Sequence, residues 1–143
     1  MNNKLIWVLL LILLNGLIIY AFVTGASILN MTFFNDRFPV GNLLVGILLT
    51  TFPMIFWLLW KNKVRNRWSN GLLVIAMILG ILWWPYGRLV SGNWFNNFDG
   101  SDPAWLWKNT SFWYLTYAVP IITLIAVLIR LISSLTIKFK RNL

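Results

Sequence analysis

The chain has no cysteine and no histidine, and its only acids are three aspartates, Asp36, Asp99 and Asp102. Without cysteine there is no disulfide, no thiolate nucleophile and no cysteine metal site. Without histidine the usual general base and the commonest metal ligand are gone. Charge of any sign is scarce, at 10% of residues against about 25% in soluble domains. The net charge of +9 reflects that shortage of acid, twelve Lys and Arg against three Asp, and not a dense basic surface. A nucleic-acid partner is therefore not expected. The basic residues flank apolar runs, the placement that anionic inner-leaflet lipid favours.

What the chain does have is apolar surface. Its hydrophobic fraction is 59%, where soluble domains hold about 45–50%. A soluble protein of 143 residues could not hide so much, so most of it must face lipid or another helix. The expected class is all-α: one polytopic membrane domain with four transmembrane helices. The apolar runs cover about 5–29, 43–60, 71–86 and 112–131, each near the roughly 17–25 residues that a bilayer requires. The first is longer than the roughly 7–15 apolar residues of a signal peptide and is preceded by little positive charge, so it reads as a retained helix.

The connector Lys61-Asn62-Lys63-Val64-Arg65-Asn66-Arg67 is positive and has no acid, and the tail adds Lys138, Lys140 and Arg141. The Asp36-Arg37 connector is neutral, and that from Arg88 to Ser111 balances Arg88 and Lys108 with Asp99 and Asp102. Short positive loops stay inside. Both termini are thus expected to be cytoplasmic, in the cytoplasmic (plasma) membrane, with all three acids outside. Aromatic belts at 57–60, 83–86 and 112–114 fit the same depths.

No carboxylate lies in any span, which argues against coupling to an ion gradient by an acidic relay. Arg130 falls near the inner surface, where its side chain is expected to snorkel. The fourth span carries Thr116, Pro120, Thr123, Val127, Arg130 and Ser134 on one face, a seam against neighbouring helices. Ala21-x-x-x-Gly25, Gly46 with Thr50, and Ala76-x-x-x-Gly80 offer small-residue contacts elsewhere. Counting along each helix brings Asn15, Thr50, Thr51 and Thr123 to mid-bilayer. This polar layer is expected to join helices by hydrogen bonds, with the lining of a substrate path as the alternative.

The outer loop, 88–111, is long for a connector and rich in rings: Trp94, Phe95, Phe98, Trp105 and Trp107. Long irregular loops usually work for a living or are disordered, and this one is too aromatic for a free linker, so these five are the candidate partner-binding residues. Asp102 followed by Pro103 predicts an N-cap and a short helix through about Lys108. Thr110 or Ser111 is then expected to cap the fourth span. Asp99 and Asp102 supply too few ligands for a calcium loop, so neither a metal nor a cofactor is expected.

No nucleotide-binding, nucleophile-elbow or zinc motif occurs. The sequence therefore points to a non-catalytic membrane protein acting through protein contacts, as an accessory subunit or an immunity or regulatory protein. Its expected partners are the bilayer and another membrane protein or further copies of itself. The alternative is a small oligomeric transporter or channel for an apolar or lipid-like substrate.

Overall fold

A computed structural model describes residues 3–33, 38–60, 66–93 and 100–141, with side chains left aside at 3, 4, 38 and 137–141. Four long helices follow one another: α1 (Asn3–Thr24), α2 (Val40–Trp60), α3 (Arg67–Ser91) and α4 (Trp105–Arg141). A 3-10 turn (Ser27–Asn30) and two short antiparallel strands, β1 (Thr32–Phe33) and β2 (Phe38–Pro39), link α1 to α2. All four helices are apolar and long enough to cross a bilayer, so the chain is a four-span integral membrane protein.

The helix ends differ from expectation for identifiable reasons. α1 stops at Thr24, not near 29, because Gly25 turns left-handed (φ 62°). The Ala26 N–H then reaches back to the Ala21 carbonyl at 3.0 Å, closing the end. Gly25 is thus a terminator and not a packing contact; nothing lies within 4 Å of where its Cβ would be. α3 begins earlier than the apolar run because Asn66 caps it, its Oδ1 accepting from the N–H groups of Trp68 and Ser69. It also runs through Pro85 to a second left-handed glycine, Gly92 (φ 74°).

The predicted short helix after Pro103 and the fourth span are one helix of 37 residues, roughly 55 Å long. Asp102 starts it: Oδ1 accepts from the Ala104 N–H at 2.8 Å and its carbonyl from the Trp105 N–H. Ser111 does not cap a new helix but donates within this one, to the Lys108 carbonyl at 2.9 Å. Nothing between Trp107 and Phe112 breaks the helix, so the two segments merge.

Packing is closest between α3 and α4 and between α2 and α3, while α1 rests chiefly on α2. The buried residues of α3 are Ser69, Leu73, Ala76, Gly80, Trp83, Gly87 and Val90, alternating four and three apart. That repeat is the seam of a left-handed helix pair. α4 answers, running antiparallel, with buried Phe112, Val119, Thr123, Ala126 and Arg130. Thr123 and Arg130 of the expected seam lie in it, with Thr116 half-buried. Between them the buried positions are Val119 and Ala126, one residue before Pro120 and Val127, so the face is turned slightly from the one the polar residues suggest.

α2 approaches α3 more closely still. A Cβ on Gly80 would lie 2.8 Å from the backbone of Leu49 and Thr50, so the two main chains touch there. In lipid, where no water is expelled between helices, such close contact is a main source of attraction.

Candidate functional site

The four residues of the expected polar layer do not form one cluster. Asn15 is buried on α1, and its Nδ2 donates to Thr51 Oγ1 on α2 and to the Leu11 carbonyl, both at 2.8 Å. Thr51 can accept because its own hydrogen goes to the Ile47 carbonyl, at 2.8 Å. The Asn15 carbonyl oxygen is buried and has no hydrogen-bond partner among the described residues. Thr50 donates to Gly46 O and Thr123 to Val119 O, each within its own helix. Thr123 is fully buried in the α4 seam. Asn15 and Thr51 are therefore brought together, while Thr50 and Thr123 stand apart with their hydrogens already used.

A second polar centre lies at the other end of α2. Arg130 does not snorkel to the surface: it is 1% exposed. One guanidinium nitrogen donates to Asn70 Oδ1 at 2.6 Å, and another to the main-chain oxygen of Trp60. The guanidinium also lies over the Trp60 ring, 5.9 Å from its centroid. Trp60 ends α2 and Asn70 belongs to the first turn of α3, so this one side chain of α4 ties three helices. A carbonyl at a helix C-terminus lacks an intrahelical donor, and a cation there also suits the helix dipole. Beside it, Ser69 donates to the Ala126 carbonyl at 2.9 Å and Asn66 to Ser133 Oγ at 2.8 Å. The start of α3 and the later turns of α4 are thus joined by Asn66, Ser69 and Ser133, which sequence reasoning did not single out. Asn66, Ser69 and Asn70 were legible only as a polar flank, and Arg130 only as a seam residue expected to snorkel.

At the opposite end Trp83 and Phe112, expected in the aromatic belt, are core residues. Their rings stand 5.0 Å apart, and Trp83 Nε1 donates to Thr116 Oγ1 at 2.7 Å. Tyr86 donates to Ser111 Oγ at 2.9 Å. Trp113 and Tyr114 do face outward, as a belt requires.

Of the five candidate rings in the segment between α3 and α4, Trp94, Phe95 and Phe98 lie outside the described residues. The other two occupy the first turn of α4. Trp105 is half-buried, whereas Trp107 is 58% exposed. Two residues apart on a helix, they point in nearly opposite directions. Asp102 holds this turn by its backbone caps and by an ion pair with Lys108, Oδ2 to Nζ at 2.5 Å. The ammonium, and next the Ala104 N–H, hold the Asp102 carboxyl below the usual aspartate range. Asp102 is thus occupied as a cap. No group of three or more metal-ligating acids exists among the described residues.

Comparison with protein-family models, with curated proteins and with solved structures finds no match for this chain.

Proposed function

We propose that this protein is a non-catalytic component of the cytoplasmic membrane that works by binding a second membrane protein on the outer side. The carrying observation is Trp107: a large ring, more than half exposed, on a helical turn fixed by Asp102 and Lys108. Exposed aromatics on rigid supports are the usual anchors of protein interfaces. The polar groups within the spans weigh against a path for a polar solute, though not against one for an apolar or lipid-like substrate. Thr50, Thr51 and Thr123 each donate to a carbonyl of their own helix, and the Asn15 amide nitrogen donates to Leu11 and Thr51, with only its oxygen left over. That leaves little to line a path for a polar substrate.

The orientation belongs to the proposal and rests on loop charge. Lys61, Lys63, Arg65 and Arg67 follow α2, and three more basic residues close the chain, against balanced charge in the other two connectors. Both termini are then cytoplasmic. Single cysteines test it cleanly in a cysteine-free chain. In intact cells an impermeant thiol reagent should label Asn97→Cys and spare Asn66→Cys and Asn142→Cys; labelling of Asn66→Cys from outside reverses the orientation. For the binding itself, gentle purification from native membranes should yield a second membrane protein in constant ratio. Recovery of this chain alone, or only with copies of itself, counts against the proposal.

A further inference from the structure

The α2–α3 contact leaves a groove of about 310 Å³, bordered by Leu43, Gly46, Ile47 and Thr50 of α2 and by Ile81 and Trp84 of α3. It exists because position 46 has no side chain. A Cβ there would meet only the edge of the Trp83 ring, at 3.9 Å, so the glycine leaves space and is not forced by a close approach. The flank is open to the outside, where Ile81 is 61% exposed.

Three features define what fits. First, the groove follows α2 from Leu43 near the start of the helix to Thr51, a run of about 12 Å at the helical rise. That is close to the depth of one leaflet, half of a hydrocarbon core of about 30 Å. It therefore lies along the direction of the lipid chains, in the leaflet on the side of the 3-10 turn. Second, it is thin. Its volume of about 310 Å³ is spread along that run as a shallow cleft open on one flank. Third, its lining offers carbon. The Thr50 and Thr51 hydrogens go to Gly46 O and Ile47 O, and Thr51 Oγ1 already accepts from Asn15. No ionisable side chain borders it.

We infer that this groove is a binding site for one acyl chain of a phospholipid in that leaflet. A slim, unbranched, apolar ligand entering parallel to α2 meets all three conditions, whereas a polar solute finds no charged partner. The headgroup stays at the membrane surface beside the start of α2. The site stands independently of the proposed partner and of the orientation, since it needs only a bilayer around the four helices.

The experiment uses the full chain reconstituted in phosphatidylcholine vesicles containing a phosphatidylcholine with a diazirine in its acyl chain. After illumination, labelled positions are mapped by peptide mass spectrometry. Labelling at Thr50, Ile81 and Trp84 should exceed, severalfold, that at lipid-facing Leu13 and Leu124, both well exposed on other helices. Gly46→Leu fills the floor of the groove, and Ile81→Trp covers it from the exposed rim without disturbing the α2–α3 contact. In each folded variant, labelling at Thr50 should fall to the Leu13 level while Leu13 and Leu124 are unchanged. If Gly46→Leu fails to fold, Ile81→Trp alone decides. Even labelling across all exposed apolar positions overturns the site, as does groove labelling that survives Ile81→Trp. A groove shielded from label in the wild-type protein overturns it too, because something other than lipid then covers α2 and α3.

Discussion

The Asn15 amide nitrogen donates to Thr51 Oγ1 across 2.8 Å, while the oxygen of the same amide is buried with no partner among the described residues. The contact joins α1 to α2 and is at once favourable and incomplete. An interhelical hydrogen bond in lipid contributes about 0.6–2 kcal/mol. An unsatisfied buried carbonyl costs about 1–3 kcal/mol. Replacing Asn15 with leucine removes both.

Asn15→Leu should therefore change stability by no more than about 1 kcal/mol, because the two effects nearly offset. Thr51 keeps its bond to Ile47, so its hydroxyl is not stranded. Asn15→Asp should be far worse, since a carboxylate at that depth must ionise or hold its proton. Unfolding in mixed detergent micelles, followed by circular dichroism, checks both. A loss of several kcal/mol in Asn15→Leu would mean that the amide oxygen has a partner after all.

Gly80 should tolerate no side chain. A Cβ there would sit 2.8 Å from Leu49 C, Leu49 O and Thr50 N, all backbone atoms that cannot swing aside. Gly80→Ala should cost about 1–3 kcal/mol by overpacking. Gly46→Ala, with only a 3.9 Å contact to the Trp83 ring, should be nearly neutral. Melting temperatures of the two variants in the same detergent make the comparison; equal values would contradict the close approach of α2 and α3.

Arg130 should be intolerant of lysine. The guanidinium reaches Asn70 and Trp60 with two different nitrogens, a fork that a single ammonium cannot reproduce. Hydrogen bonds to charged groups contribute about 1.5–3 kcal/mol each, so stability should fall in the order wild type, Arg130→Lys, Arg130→Met. A lysine variant as stable as the wild type would indicate a side chain that snorkels to the surface.

The number and class of the helices were legible because apolar length alone decides them in a membrane. The role of Asp102 was legible in part: it holds the turn before the helix through the Ala104 N–H, but the helix begins at Trp105 and not at Pro103. Gly25 was harder. A small residue near a helix end reads equally as a packing contact or a terminator, and only φ separates the two. The grouping of the polar layer was not legible, because rise per residue gives height along a helix and not the direction around the bundle. Only the Asn15–Thr51 pair shares both. Arg130 escapes the sequence for a related reason: its inward aim depends on Trp60 and Asn70, 70 and 60 residues away in sequence. Trp83 and Phe112 look like belt residues in the sequence because burial against another helix leaves no trace in composition.

The central claim, that the protein acts through an outer contact anchored at Trp107, is tested most directly by two alanine variants compared side by side. Trp105 is half-buried and Trp107 is exposed, so the variants should fail differently. Trp105→Ala should lower the melting temperature. Trp107→Ala should leave it unchanged yet weaken association with the co-purifying membrane protein about thirtyfold, the loss of roughly 2 kcal/mol typical of an interface anchor. The measurement is partner recovered per mole of each folded variant from native membranes. Full recovery with Trp107→Ala would contradict the account.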